Sequence, residues 1–302
     1  MTTTAYTITG EKLLDIAANI VRQFFHKYKP IRPYLFVSGG KDSVAVAAAV
    51  AYAGDSIKNK VIVVYNELMG NTHPRNVEQT YRILESLGYE QPHRVRSPHY
   101  TNVRIAVLKG YKSIHIEAFN RHGGDFWHGV RTWGIPVKLA ASGTRWCYNE
   151  HKQKHWDALP HVNGKRYNIM GIKMADSKWR RIKWSNARDY AREITVRRKD
   201  IREIVFTPIL RLTDNQVWLI IREAGLDKHL ETYRQCGDSL NCVFCPFRRY
   251  EKQVNIIRCI GVDDPIVRRA HETLHSMLEQ TDQLTRLKAE EWLRAIEEAG
   301  RG

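Results

Sequence analysis

Leu13, Ala17, Ile20 and Phe24 recur at helical spacing, which predicts an amphipathic helix from Glu11 to Lys27, ended by Pro30 and Pro33. The period then changes. Tyr34-Leu35-Phe36-Val37 is a short apolar run of strand type, followed by a Ser-Gly-Gly turn and the Ala- and Val-rich stretch Asp42–Ala53, read as a helix. Val61–Tyr65 is the next strand, and a loop over Asn66–His73 leads to Pro74, suited to the first turn of a helix running to about Leu87. Gly88 closes that helix. Strand, helix, strand, helix at this spacing predicts right-handed βαβ units and a parallel sheet. Tyr167–Met170 and Ile204–Phe206 are later strand candidates. From Thr213 the pattern turns helical: Thr213 and Gln216 suit a capping box for a helix over Asp214–Ala224, and two helical segments follow, roughly Asp264–Leu278 and Gln280–Glu298. The expected class is α/β, a doubly wound, mainly parallel sheet. The expected division is an N-terminal helix (1–30), a sheet domain (31–210) and a helical, cysteine-containing subdomain (211–302).

Composition adds limits. With 43% hydrophobic residues among 302, wholesale disorder is excluded. The longest apolar run, Val44–Ala53, is far short of the roughly 20 residues of a membrane span. The Thr-rich opening carries no apolar signal core, so neither export nor membrane attachment is expected. Three of the five cysteines crowd into Cys236–Cys245. That argues against a disulfide framework and for a reducing, cytoplasmic compartment where thiolates are free to bind metal. The 48 Lys and Arg outnumber the 32 Asp and Glu, a formal charge of +16 that predicts an anionic partner, nucleotide phosphates or a nucleic-acid backbone.

Ser38-Gly39-Gly40-Lys41-Asp42-Ser43 falls between a predicted strand and a predicted helix. The glycines permit a tight turn and close backbone approach, the helix start offers N–H groups and a positive dipole end, and Lys41 adds full charge, a combination suited to polyphosphate. The spacing is not that of a Walker loop. These residues resemble the pyrophosphate-binding loop of the PP-loop, or adenine nucleotide α-hydrolase, superfamily. Further segments are similar, in order, to the phosphoadenosine phosphosulfate (PAPS) reductase family. They are Asn71-Thr72-His73-Pro74-Arg75-Asn76, Arg145-Trp146-Cys147 with Lys152, Gly171–Ser177 with Arg180 and Arg181, Thr207-Pro208-Ile209-Leu210 with Trp218, and Cys242-Val243-Phe244-Cys245-Pro246.

The resemblance implies a Rossmann-like PP-loop fold that binds an adenine nucleotide (PAPS, adenylyl sulfate or ATP) at the carboxyl ends of the strands. Ser38, Gly39, Gly40, Lys41, Asp42 and Ser43 would hold its phosphate or sulfate end, with Lys41 and Asp42 as the catalytic pair. Asn66 would lie near the nucleoside, and Gly171, Lys173, Arg180 and Arg181 would close over the anionic side. Lys173 stands where the family has Arg, which keeps the charge and loses the bidentate fork. Cys242 and Cys245 form a C-x2-C pair, and with Cys236 and Cys147 they could bind a 4Fe–4S cluster, with zinc as the alternative. Cys259 reads as a packing residue, and His151 and His155 as polar surface. Mg2+ would accompany ATP. The superfamily also implies an electron or sulfur donor protein and, commonly, a homodimer.

Two features divide the functional expectation. Sulfonucleotide reductases use a late Cys-Gly segment whose thiolate attacks the substrate sulfur, and no cysteine follows Cys259. The full loop with Lys41 is typical of relatives that split ATP between its α and β phosphates. The first expectation is a PAPS-reductase-like enzyme reducing activated sulfate to sulfite. The second is an ATP pyrophosphatase and sulfurtransferase acting on nucleic acid, in DNA phosphorothioation or tRNA thiolation, and a third is a non-catalytic nucleotide-binding module. Ten basic and three acidic residues between Lys178 and Arg202, interleaved with Trp179, Trp184 and Tyr190, could track a phosphate backbone or form a solvated face.

Overall fold

In the computed structural model, Tyr34–Val37 forms a fully buried strand, β1, from which the chain turns directly into the helix Lys41–Tyr52. The structure describes residues 12–98, 100–136, 145–196, 201–279 and 281–301. Six further strands follow: β2 (Ile62–Leu68), β3 (His93–Ser97), β4 (Ser113–Ala118), β5 (Lys165–Ile169), β6 (Ala191–Val196) and β7 (Ile201–Phe206). They make one seven-stranded sheet of order β3-β4-β2-β1-β5-β7-β6. The β1–β5, β2–β4, β3–β4 and β5–β7 ladders are parallel, and the β6–β7 ladder is antiparallel. The chain is therefore α/β with a mainly parallel sheet and a helical C-terminal region. In the strand order β1 stands between β2 and β5, so the chain order reverses at β1. The loop of residues 38–40 leaves the carboxyl end of β1.

Contacts divide the chain into two interleaved units. The first comprises the chain up to Leu35, Lys41–Val61 and Val162–Lys228, so the capped helix after Thr213 belongs to it. Its first helix, Leu13–Tyr28, buries Leu14, Ala17, Ala18, Val21, Phe24 and Phe25, a face rotated slightly from the expected one; Glu11 lies outside the described residues. Phe24 stacks on Phe206 of β7 at 3.9 Å between centroids. The helix Lys41–Tyr52 is buried from Ser43 to Val50, which explains its lack of a polar face. The capping box forms as expected, Thr213 and Gln216 each satisfying the other's backbone N–H at the start of Asp214–Glu223.

The second unit comprises Phe36–Gly40, Ile62–His161 and the chain from His229. β2 does not end at Tyr65. It continues through Asn66 and Glu67 to Leu68, because its ladder with β4 runs to the pair Leu68–Ala118. The helix Pro74–Ser86 has Pro in its first turn and is followed by Gly88 at φ 69°, in the left-handed region. The helices Tyr250–Ile260, Pro265–Met277 and Gln283–Gly300 form a core around Trp127, Phe244 and Trp292. Tyr250–Ile260 was not anticipated, and residue 280, where the last helix was expected to start, lies outside the described residues. Among the described residues no helix is long and apolar enough to cross a membrane.

Candidate functional site

The first half of the loop, Ser38-Gly39-Gly40, is held within the second unit by uncharged donors. Asn76 Nδ2 donates to the Ser38 carbonyl at 3.0 Å and Gln79 Nε2 to the Gly39 carbonyl at 3.2 Å. Each carbonyl is thus satisfied by a neutral amide donor, which fixes the turn. Gly39 has φ 76°, and a Cβ there would strike Thr80 Oγ1 and lie 2.9 Å from Asn76 Nδ2, so conformation and space both require glycine. Asn76 is itself fixed: its Nδ2 also reaches the Tyr65 hydroxyl at 3.2 Å, and its Oδ1 accepts from Ser239 Oγ at 3.1 Å.

Ser239 leads to the cysteine segment. Asn71 Nδ2 donates to Cys242 Sγ at 3.3 Å and to the Phe244 carbonyl at 3.0 Å, while Asn71 Oδ1 accepts from Phe244 N at 2.8 Å. One short stretch, Asn71–Thr80, thus holds both the glycine turn and the C-x2-C pair. The Cys242 thiol donates to the Phe244 carbonyl at 3.8 Å; interaction with Cys242, the Phe247 N–H and Arg248 together lower Cys245 below the usual thiol range, although burial opposes them. Cys242 keeps its proton, pushed up by interaction with Cys245 and by burial. Cys147 stands close enough to interact with Cys245 and is pushed up to about 11 by burial.

Cys236 does not join them. It is bonded to Cys259, because the helices Glu231–Cys236 and Tyr250–Ile260 bring the two Cα atoms to 5.3 Å across 23 residues. This corrects the expectation of Cys236 as a metal ligand; Cys259 packs against the core as expected and is in addition bonded to Cys236. The free thiols are Cys147, Cys242 and Cys245. Among the described residues no group of three or more His, Cys, Asp or Glu side chains is placed to hold a metal ion. The four-thiolate set that a 4Fe–4S cluster or a four-cysteine zinc requires does not fit these residues.

The second half of the loop opens the buried helix in the first unit and is held by charge. Lys41 Nζ lies 3.1 Å from Asp42 and 2.9 Å from Asp214. Lys173 Nζ, fully buried, lies 2.7 Å from Asp42, 2.8 Å from Asp176 and 3.0 Å from Asp214. Burial alone would favour its neutral form, but the three carboxylates outweigh it and hold the ammonium well above its ordinary value. Asp214 is held below the usual carboxylate range by hydrogen bonds from Lys41 and Lys173. Arg180 pairs with Asp176, bringing the cluster to three cations against three anions, and Arg181 is exposed. Gly171 has a separate role. A Cβ there would stand 2.7 Å from the backbone of Asp42 and Ser43, so its absence lets the chain after β5 approach the helix start.

Asn66 lies within β2, not beyond it. Its Nδ2 donates to the His151 carbonyl at 2.7 Å, and its buried Oδ1 has no partner among the described residues. His151 and His155 are not surface groups as expected; both are fully buried. His151 Nδ1 lies 2.9 Å from the Ala118 carbonyl, so it carries the proton, and burial pushes the ring toward neutrality. His155 lies 3.0 Å from both Ser97 Oγ and the Phe119 carbonyl and is pushed down to about 3 by burial. Glu150, also buried, pairs with Arg121 and Lys154. Burial would raise it, but those bonds prevail and bring it to about 2. Spacing of i and i+4 showed only a shared helix face; the burial came from β4 and the chain beyond it.

No protein-family model matches the chain, and no curated protein matches it. Among solved structures it is similar to the NH3-dependent NAD synthetase from Campylobacter jejuni subsp. jejuni NCTC 11168, in complex with the nitrate ion. Identity is 10%, over 93% of this chain and 92% of that one, at a TM-score of 0.42. A likeness of that size carries no argument about this chain's activity.

Proposed function

We propose that the chain is a PP-loop enzyme that binds an adenine nucleotide through residues 38–43 and acts in sulfur metabolism as a PAPS-reductase-like enzyme. The observation that carries this is the Asn71–Thr80 stretch, which supports the glycine turn and the Cys242–Cys245 pair together. An anionic tail would meet the Ser38–Gly40 turn, the helix start and Lys41. The Cys245 thiolate attacks the sulfur of adenylyl sulfate or PAPS. The sulfur–oxygen bond breaks, and the 5′-phosphate of the nucleotide leaves with that oxygen, as AMP from adenylyl sulfate or as adenosine 3′,5′-bisphosphate from PAPS. Cys242 then displaces sulfite from Cys245, leaving a disulfide and releasing its thiol proton. A dithiol donor protein returns two electrons and two protons. The Phe247 N–H and Arg248 beside Cys245 favour its thiolate, and burial favours the protonated Cys242, which supports these roles.

A second reading, ATP pyrophosphatase with sulfur transfer to nucleic acid, is favoured by Lys41 at the helix start, where it would stabilise departing pyrophosphate, with Mg2+ as companion. Incubating anaerobically purified protein with ATP, adenylyl sulfate and PAPS separates the two. Sulfite formed with a dithiol donor, and lost in Cys245→Ser, supports reduction. Pyrophosphate stimulated by nucleic acid supports transfer, and absence of binding to all three nucleotides overturns both.

A further inference from the structure

The helix Lys178–Trp184 reads Lys-Trp-Arg-Arg-Ile-Lys-Trp, with four cations and no acid in seven residues. Its last residue anchors it: Trp184 is buried against Val205 and Leu210, with Met170, Ile172, Met174, Ala187, Tyr190 and Ile194 around them. Its start is held by the Ser177 side chain, which accepts from Arg180 N at 3.1 Å, and by the Arg180–Asp176 ion pair. Asp176 in turn pairs with Lys173 and so with Asp42 of the loop. The helix is thus tethered to the first-unit half of the loop through one chain of ion pairs.

Everything else on it faces water. Residues 178 to 183 are all exposed, Trp179 at 73% and Ile182 at 55%. Lys178 and Arg181, like Arg180 and Lys183, stand three apart, where like charges repel. A partner that brings both anionic charge and flat apolar surface would relieve the crowded cations and cover the exposed indole. Arg188 and Arg192 continue the basic run, while Arg197, Arg198 and Lys199 of the same run lie outside the described residues.

We propose that the exposed face of the Lys178–Trp184 helix binds a single-stranded polynucleotide, with Trp179 stacking on a base and Lys178, Arg181 and Lys183 contacting its phosphates. Single strands fit because their bases are free to stack, whereas a duplex offers the cations only its backbone. A seven-residue helix with one exposed indole and one exposed isoleucine is a small anchor for a membrane surface. This site goes beyond the nucleotide reading and does not depend on it.

The test is the affinity of the full chain for a fluorescein-labelled 15-nucleotide oligodeoxythymidylate across a salt series, beside a duplex of equal length, heparin, and phosphatidylserine-containing vesicles. The single strand should bind most tightly and quench tryptophan fluorescence. Trp179→Ala should weaken it about tenfold, and Trp179→Phe should restore most of the loss. Lys178, Arg181 and Lys183 changed together to Ala should lower the salt slope by about two. Circular dichroism should be unchanged, since none of these side chains is buried. The proposal is overturned if Trp179→Ala binds as the parent does, if heparin or duplex binds as tightly as the single strand, or if vesicles bind and the oligonucleotide does not. Lys41→Ala, which the loop reading expects to abolish ATP binding, should leave oligonucleotide affinity unchanged, so failure of one reading is distinguishable from failure of the other.

Discussion

Before Gly40 the loop is held by neutral amides, Asn76 and Gln79; from Lys41 onward it is held by two ammoniums against three carboxylates. The amide half has direction and no titrating group at neutral pH, and each bond is specific to one carbonyl. The ionic half is redundant, with Lys173 touching three acids and Asp42 and Asp214 each touching two lysines. Its strength depends on protonation, and removing its central cation leaves like charges crowded together. The two halves of one loop are thus fixed by different physics, directional neutral hydrogen bonds in the first and a cluster of ion pairs in the second.

Lys173→Met should have the largest effect, about 3 kcal/mol in urea unfolding, because three carboxylates lose the cation between them. Nucleotide affinity should fall with it, since Asp42 would no longer be held. Gly171→Ala comes next, at about 2 kcal/mol, as a Cβ forces the chain after β5 away from the Asp42–Ser43 backbone. Asn76→Ala should cost about 1–2 kcal/mol and loosen the Ser38–Gly40 turn, with hydrogen exchange rising there more than at Lys41–Ser43. Arg180→Ala should cost less than about 1 kcal/mol, as its pair with Asp176 is exposed.

Acid and base sharpen the same contrast. Asp214 has a depressed pKa, so its contribution is present above the unfolded value of about 3.9 and is lost as pH falls below it. Lys173 has a raised pKa, so its contribution is complete below about 10.4 and is lost only as pH rises toward its higher folded value. The ionic half should therefore weaken at both extremes while the amide half does not respond. Hydrogen exchange corrected for intrinsic rates, compared at pH 7 and pH 3.5, would expose equal loosening of both halves and so break the comparison. Glu150 adds a separate acid transition in the second unit, its contribution lost between about pH 4.3 and its folded value of about 2.

What could be read ahead of the structure was carried by local signals. Pro74 in a first turn, the Thr213–Gln216 box and the Gly39 turn each state a backbone conformation within a few residues. β3 escaped notice because three of its five residues are exposed, two of them arginines and one a histidine, leaving no apolar run. β4, with His115 and Glu117 inside it, was missed as well: His115 is buried only because Tyr81 and Glu67 come to it, at 2.7 and 2.6 Å. Lys173 illustrates the same limit at the site. Its sequence neighbourhood suggests a ligand-facing cation, and its burial depends on Asp42, 131 residues away, and on Asp214.

The sequence alone determined the strand–turn–helix around Ser38–Ser43, the parallel α/β class and the caps, because φ preferences, capping side chains and hydrophobic period act over a few residues. Only the tertiary structure decided which cysteine pairs with which, which lysine is buried under acids, and that Asn71–Thr80 supports both the turn and the thiols. Those outcomes are settled by distant segments arriving at the same place, where desolvation and hydrogen-bond satisfaction select among partners that the chain order does not distinguish.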